Sequence, residues 1–152
     1  MSGSDQTNQS DNLPKLSMEA ATQLLSQAKA QIQAGQFADA QGLLERLLTD
    51  YPNHSEALYF VSVAQRLSEN YAGALSSLQK LITIEPSYGR AYQERGHVFM
   101  ARKETDEARS AFQQAVRLNS SLIASWRMLM TLTDSGAEQN AHDYFKDQYQ
   151  RL

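Results

Sequence analysis

Apolar residues recur at three- and four-residue spacing from Ser17 to the end of this chain. That spacing places them on one stripe of an α-helix. Short polar runs with Gly, Asn, Ser or Pro interrupt the stripe at regular intervals, as turns do. The pattern predicts eight helices in four hairpins, over residues 18–34 with 37–50, 54–68 with 71–84, 88–102 with 105–118, and 121–133 with 137–151.

The second helix of each of the first three hairpins carries an apolar stripe wide enough for a core face. Because the connections are short, successive helices must lie antiparallel. The stripes consist of Phe37, Ala40, Leu44, Leu47 and Leu48 in the first hairpin, of Tyr71, Ala74, Leu78, Leu81 and Ile82 in the second, and of Ala108, Phe112, Ala115 and Val116 in the third.

One phrase occurs three times along the chain. Residues 38–60, ADAQGLLERLLTDYPNHSEALYF, are echoed by residues 72–94, AGALSSLQKLITIEPSYGRAYQE, and by residues 106–128, DEARSAFQQAVRLNSSLIASWRM. Pro52 and Pro86 stand 34 residues apart, and Ser120 takes the place of a third proline, where we expect a looser turn. A repeat at this period predicts stacked helical hairpins, which usually offer a surface to a partner.

Small residues recur at two positions of the repeat. A small side chain at each position lets the two helices of a hairpin approach closely, as ridge-into-groove packing requires. The first helices contribute Ala28, Ser62 and Gly96, and the second helices contribute Ala40, Ala74 and Ala108.

Residues that typically begin or end helices support these boundaries. Ser17 is a candidate N-cap of the first helix. Gly35 can adopt the left-handed conformation that ends that helix. Asn53 followed by Glu56 has the pattern of a capping box before the third helix, and Gly136 separates the last two helices.

The composition agrees with one globular domain. The chain has 152 residues, of which 41% are hydrophobic and 20% charged. Residues 1–16 are rich in Ser, Asp, Gln and Asn and hold almost nothing to bury, so we predict a disordered tail there. The helical domain then covers residues 17–152, with repeats over about 21–54, 55–88, 89–122 and 123–152.

The charge and the hydropathy of the chain limit which classes of partner and which cellular locations we expect. The net charge is −3 and no run rich in Lys and Arg occurs, which argues against nucleic acid as a partner. No apolar run approaches the ~18 residues of a membrane helix, and the first residues lack the pattern of a signal peptide. We therefore expect a cytoplasmic protein that does not bind membranes.

No set of residues in the sequence indicates catalysis. The absence of cysteine excludes a thiol nucleophile and a zinc site built on sulfur. His54, His97 and His142 do not stand at metal-ligand spacing. The strings GxSxG and HExxH and the phosphate-binding loop are absent. We expect no metal, no cofactor and no enzymatic activity.

These features together resemble the tetratricopeptide repeat family. The resemblance implies an all-α superhelix of three full repeats, followed by a fourth hairpin that is degenerate or serves as a cap. Gln27 and Arg95 stand where the family usually has leucine, so we expect weaker packing around them. Beyond the small residues and prolines, the matching positions are Leu24, Leu58, Tyr92 and Trp126 early in the first helices and Leu44, Leu78 and Phe112 in the second helices.

Residues 88–129 also resemble the tetratricopeptide region that precedes a sulfotransferase domain in some bacterial two-domain proteins. This resemblance implies that the chain is the non-catalytic front part of a larger enzyme. Two interpretations of the last helix are open: its apolar residues face a further segment, or they pack on the previous hairpin as a cap. These residues are Tyr144, Phe145, Tyr149 and Leu152.

In the tetratricopeptide family the first helices of the hairpins line the concave face, and the resemblance implies a groove for a partner there. Aromatic and apolar residues flank several cations, which suits an extended peptide or a short helix with acidic character. Individual members of the set could instead pack between helices or be ordinary solvated charges. The candidate groove residues are Lys29, Tyr59, Phe60, Val63, Arg66, Arg90, Gln93, His97 and Arg127, with Glu94, Met100 and Thr131 near them.

Three functions are compatible with the sequence. The first is a non-catalytic module that binds a protein or peptide in the groove. The second is an accessory domain of a larger bacterial enzyme, for example a sulfotransferase, and the third is self-association through the C-terminal helix. Capture of a chaperone's C-terminal carboxylate is not expected, because Leu25 and Phe60 lack the required donors and Glu94 would repel the carboxylate.

Overall fold

A computed structural model describes residues 14–132 and 146–151, and within these ranges it contains α-helices and no β-strand. A further helical stretch covers residues 146–150. Gly136 and most of the predicted helix 137–151 lie outside the described residues. Besides this stretch, the helices within the described ranges are α1 (Met18–Gln33), α2 (Phe37–Asp50), α3 (Ser55–Leu67), α4 (Tyr71–Ile84), α5 (Gly89–Ala101), α6 (Thr105–Leu118) and α7 (Ile123–Leu132).

The turns inside the three hairpins share one backbone geometry. After α1, Gly35 has a φ of 79°, and its N–H donates to the Ile32 carbonyl at 3.1 Å while the next N–H donates to the Gln31 carbonyl at 2.8 Å. This is a Schellman motif, so the predicted left-handed cap at Gly35 is confirmed. Glu69 and Lys103 occupy the equivalent positions 34 and 68 residues later, with φ of 63° and 61°.

Of the two caps predicted at helix starts, one is confirmed and one is wrong. Ser17 is the N-cap of α1, and its hydroxyl accepts from the Ala20 N–H at 3.0 Å. The capping box at Asn53 and Glu56 was wrong. The N-cap of α3 is His54, whose Nδ1 accepts from the Ala57 N–H at 3.1 Å.

Close approach of the paired helices explains the small residues. Ala28 and Ser62 and the alanines Ala40, Ala74 and Ala108 have no exposed surface. At Gly96 an added Cβ would lie 2.6 Å from Cε1 of the Phe112 ring, so only glycine fits against this phenylalanine as it is placed. The small residues predicted from the repeat are therefore buried in all three hairpins, as close helix packing requires.

The turn before α7 is fixed by polar contacts where the other repeats have proline. The Trp126 indole N–H donates to the Ser120 carbonyl at 2.8 Å, and the Asn119 side chain accepts from the Ser121 N–H at 3.0 Å. The Ser121 hydroxyl also donates to the Asn119 side chain at 2.6 Å. These hydrogen bonds hold the segment, so the expectation of a looser turn is not met.

The predicted N-terminal tail lies mostly outside the described residues, but its last part contacts the first hairpin. The Leu16 N–H donates to Asp50 Oδ2 at 2.7 Å, and the Tyr51 hydroxyl donates to the Leu16 carbonyl at 2.5 Å. The Lys15 ammonium lies 4.4 Å from the centroid of the Tyr51 ring. Lys15 and Leu16 thus contact the end of the first hairpin.

The hairpins form an array with two distinct sides. α3 packs directly on α1 and on α5, whereas α4 makes no comparable contact with α2 or α6 among the described helices. Closer contact between the first helices of neighbouring hairpins bends the array toward their side. The inner face therefore belongs to α1, α3 and α5, and α7 is joined to α5 by the Ser125–Gln93 hydrogen bond. The outer face belongs to α2, α4 and α6.

Candidate functional site

The repeat period places the candidate residues in rows along the inner face. Because equivalent positions are 34 residues apart, each row takes one residue from each first helix. One row consists of Leu25, Tyr59, Gln93 and Arg127, and the next of Lys29, Val63, His97 and Thr131.

At the α1 end of this face, Lys29 is occupied by contacts with the next repeat. Its ammonium forms an ion pair and hydrogen bond with Glu56 of α3. It also lies 5.0 Å from the centroid of the Phe60 ring. The side chains of Lys29 and Glu56 are 38% and 43% exposed, so this pair is solvated and adds little stability.

Tyr59 and Arg90 form a second contact between repeats. The guanidinium carbon of Arg90 lies 4.4 Å above the centre of the Tyr59 ring, and Nη2 donates to the phenol oxygen at 3.3 Å. Tyr59 is buried and its ring also lies against Phe60 and Tyr88. Burial raises the pKa of the Tyr59 phenol above its usual value, so the hydroxyl stays neutral.

Arg66 and Glu94 form the most buried ion pair on this face. Nε of Arg66 donates to Glu94 Oε1, and the two side chains are 24% and 3% exposed. A buried carboxylate is costly unless a partner neutralises it. Arg66 therefore serves the α3–α5 interface.

His97 is half-buried in the same row. Its imidazole meets the Phe112 ring edge-on, with 5.2 Å between the ring centres. Burial lowers the pKa of the imidazole below its usual value, so His97 is neutral at pH 7. A neutral, ring-packed histidine contributes shape to the face and no charge.

Gln93 and Arg127 lie at the α7 end. Gln93 Oε1 accepts from the Ser125 hydroxyl at 2.8 Å, which links α5 to α7. Arg127 is exposed and forms no ion pair with any carboxylate in the described part of the chain. Each junction between neighbouring first helices is thus bridged by at least one polar contact.

Most of the predicted groove residues with polar side chains contact a neighbouring repeat. Lys29, Arg66 and Gln93 do so through hydrogen bonds, and the exposed Arg90 does so by stacking on Tyr59, whereas Arg127 is exposed and forms no such contact among the described residues. The sequence analysis did not predict the residues that bridge neighbouring repeats, which are Glu56, Tyr88, Glu94 and Ser125. One signal in the sequence could have found the two glutamates: a cation on the first helix of a hairpin is followed 27 or 28 residues later by glutamate.

Arg95 lies beside a cavity on the outer side of the third hairpin. Its guanidinium lies 5.5 Å from the Tyr92 ring centre, and Nη2 donates to Gln79 Oε1 of α4 at 2.8 Å. A pocket of about 390 Å³ that is open to solvent lies beside this arginine. The weaker packing expected at Gln27 and Arg95 stays a prediction. The cavity is lined by Tyr92, Arg95, Phe99, Glu107, Ser110, Ala111 and Gln114.

Across residues 14–132 and 146–151, no three His, Asp or Glu side chains come together as a metal site would require. In the same ranges, no helix combines the length and the apolar character needed to cross a bilayer.

The chain belongs to the tetratricopeptide repeat family. One model of this family, described as tetratricopeptide repeat, matches residues 25–89, and a second with the same description matches residues 89–122. The two segments together cover more than half of the chain.

Two curated proteins are similar in sequence. Tetratricopeptide repeat protein 36 from Bos taurus is 28% identical over 111 residues, which cover 70% of this chain and 59% of that protein. The general transcriptional corepressor trfA from Dictyostelium discoideum is 28% identical over 92 residues, or 56% of this chain. The chain spans only 7% of that second relative.

Solved structures share the fold at low sequence identity. MamA superposes with a TM-score of 0.75 at 19% identity over 86% of this chain and 77% of that chain. The first tetratricopeptide domain of RPAP3 bound to an HSP90 peptide gives 0.71 at 17% identity, over 79% of this chain and 95% of that chain. The Yersinia enterocolitica chaperone SycD with a YopD peptide gives 0.70 at 19% identity, over 78% and 96%. The all-α superhelix is therefore the fold of this chain.

Proposed function

We propose that this chain is a non-catalytic interaction module whose inner face binds a peptide segment of a partner protein. The observation that carries the proposal is the exposed guanidinium of Arg90, which stacks on the Tyr59 ring and keeps N–H donors at the surface beside aromatic side chains. Such a surface suits a segment that brings acceptors and apolar groups together. Two structures with the same fold, RPAP3 and SycD, were solved with peptides, which supports this class of function.

The alternatives from the sequence stay predictions. An accessory role in a larger bacterial enzyme, a sulfotransferase included, and a cytoplasmic location are open to test on the full-length product. For self-association through the last helix, one contact bears on the question. Tyr149 packs against the apolar cluster around Phe112 and Leu129 of the same chain, which favours a capping role for that residue.

The proposal is tested by selecting binders for the full chain from a displayed library of short random peptides. Binding of the selected peptides is then compared between the native protein and variants that carry a bulky side chain on each face. Val63→Trp and Thr131→Trp fill the inner face, and Ser76→Trp places the same side chain on the outer surface of α4, where Ser76 is exposed.

We expect both inner-face variants to lose most of the binding and the outer-face variant to retain it. Circular dichroism and thermal melting must show that each variant is folded. Thr131 is exposed, so this variant remains informative if the half-buried Val63 does not tolerate tryptophan. Failure to select any peptide, or peptides that bind all three variants alike, would rule the proposal out.

A further inference from the structure

A pocket with charged walls lies on the outer side of the third hairpin. Arg95 of α5 and Glu107 of α6 both line it, and it is open to solvent with a volume of about 390 Å³. The Arg95 guanidinium donates to the Gln79 side chain of α4 at 2.8 Å, but it forms no ion pair among the residues that the structure describes. This pocket, the pocket beside Arg95, therefore contains a cation without a counter-charge.

Glu107 likewise has no cationic partner within residues 14–132 and 146–151. It is exposed in the first turn of α6, where the helix dipole favours a carboxylate. The carboxylate and the Arg95 guanidinium thus line one pocket without pairing with each other. A surface that carries one free charge of each sign can be complementary to a copy of itself.

Aromatic side chains accompany the two charges. Tyr92 and Phe99 are half-buried and line the pocket together with the buried Ala111. The guanidinium carbon of Arg95 lies 5.5 Å from the centre of the Tyr92 ring. This contact restricts the arginine side chain, so less conformational entropy is lost when a partner binds. Aromatic residues and arginine are also enriched at the centres of protein interfaces.

The equivalent positions of the second hairpin are closed from within. Thirty-four residues before the arginine and the glutamate stand Val61, which is buried, and Gly73. Close to them in sequence, the side chains of Gln65 and Ser77 are hydrogen bonded to each other at 2.8 Å. The third hairpin thus has two charges where the second has none. No ion pair inside the described part of the chain accounts for these charges, which favours a contact with another molecule.

We propose that the pocket beside Arg95 is the centre of a symmetric contact between two copies of this chain. In a twofold dimer, Arg95 of each copy meets Glu107 of the other, so both ion pairs form at once. A second copy is the occupant because the same pocket supplies the carboxylate that the arginine lacks and the guanidinium that the glutamate lacks. This contact uses the outer side of the array and goes beyond peptide binding on the inner face.

Sedimentation equilibrium of the full chain, from micromolar to millimolar concentration, tests this inference. The native chain should dimerise weakly, because an interface centred on one small pocket buries little surface. Arg95→Glu and Glu107→Arg should each weaken the dimer about tenfold or more, since each substitution places like charges opposite one another twice. A native chain that stays monomeric at the highest concentration would overturn the proposal.

A mixture of the two variants gives the sharpest result. In a dimer of one Arg95→Glu chain with one Glu107→Arg chain, both junctions again hold opposite charges. The mixture should therefore dimerise about as well as the native chain, although each variant alone does not. If the mixture stays monomeric while the native chain dimerises, these two residues do not face each other and the proposed contact is wrong.

Asp39→Arg is the matched control. Asp39 is exposed in the first turn of α2 and is the equivalent of Glu107, 68 residues earlier. Its replacement changes the same charge at the same place in a helix, and it should leave dimerisation within about twofold of the native chain. Circular dichroism must show that each variant is folded. Glu107 is exposed, so Glu107→Arg remains informative if Arg95→Glu does not fold.

The outcomes separate this inference from the proposed function. Equal weakening of the dimer by Asp39→Arg and Glu107→Arg would show a general effect of charge and contradict the contact. If the native chain is monomeric but selected peptides bind its inner face, peptide binding stands and the dimer is wrong. If the dimer responds to the variants as stated but no peptide is selected, the dimer stands and the proposed function fails.

Discussion

At the scale of single residues, three equivalent turns adopt the same left-handed backbone conformation with different amino acids. Gly35, Glu69 and Lys103 all occupy the left-handed region, where a Cβ is unfavourable by roughly 1–2 kcal/mol. Glycine avoids that strain but loses more entropy on folding. The glutamate and the lysine are exposed, so their side chains offer little to offset the strain.

Substitution at these turns should therefore change stability in opposite directions. Glu69→Gly and Lys103→Gly should each raise the free energy of unfolding by about 0.5 kcal/mol, because relief of strain exceeds the added entropy cost. Gly35→Ala should lower it by about 1 kcal/mol. Urea denaturation monitored by circular dichroism measures all three. Destabilisation by both glycine substitutions would contradict the strain argument.

The residue scale also shows where prediction from sequence was wrong. The pattern Asn53–Glu56 matched a capping box, but α3 begins at Ser55, so the residue before it is His54. Sequence alone does not decide between adjacent polar residues, since an imidazole nitrogen can accept the same N–H. Ser17 and Gly35 were predictable because their capping geometry is local.

At the scale of helices, prediction from sequence was nearly complete inside each hairpin and incomplete between hairpins. Helix periodicity and the small residues specify the paired helices, whose bounds differ from expectation by at most a few residues. The contacts Lys29–Glu56, Arg66–Glu94 and Gln93–Ser125 depend on how one hairpin is rotated against the next. That rotation arises from packing of the whole interface, which no local pattern encodes.

Substitution of Gly96 tests the close approach of α5 and α6 within the third hairpin. Gly96→Ala should lower the free energy of unfolding by about 1–2 kcal/mol, because the clash with Phe112 outweighs the better helix propensity of alanine. In a Phe112→Leu background the same substitution should cost clearly less. A double-mutant cycle in urea measures this coupling. Equal costs in both backgrounds would show that the ring does not limit the approach.

At the scale of the whole molecule, a row of first helices in direct contact gives the array its inner face. The family assignment and the fold were predictable because the period, the prolines and the small residues are sequence properties. The pairing of polar side chains across that face was not predictable. It follows from which glutamates reach which cations across the junctions, so it required the structure.

The most direct test of a peptide-binding inner face is the location of chemical-shift changes when an isotope-labelled chain is titrated with a selected peptide. We predict that the largest backbone and side-chain changes fall on α3, α5 and α7 and include Arg90, Gln93 and Arg127. Changes confined to α2, α4 and α6 would place the partner on the outer face and contradict a groove on the inner face.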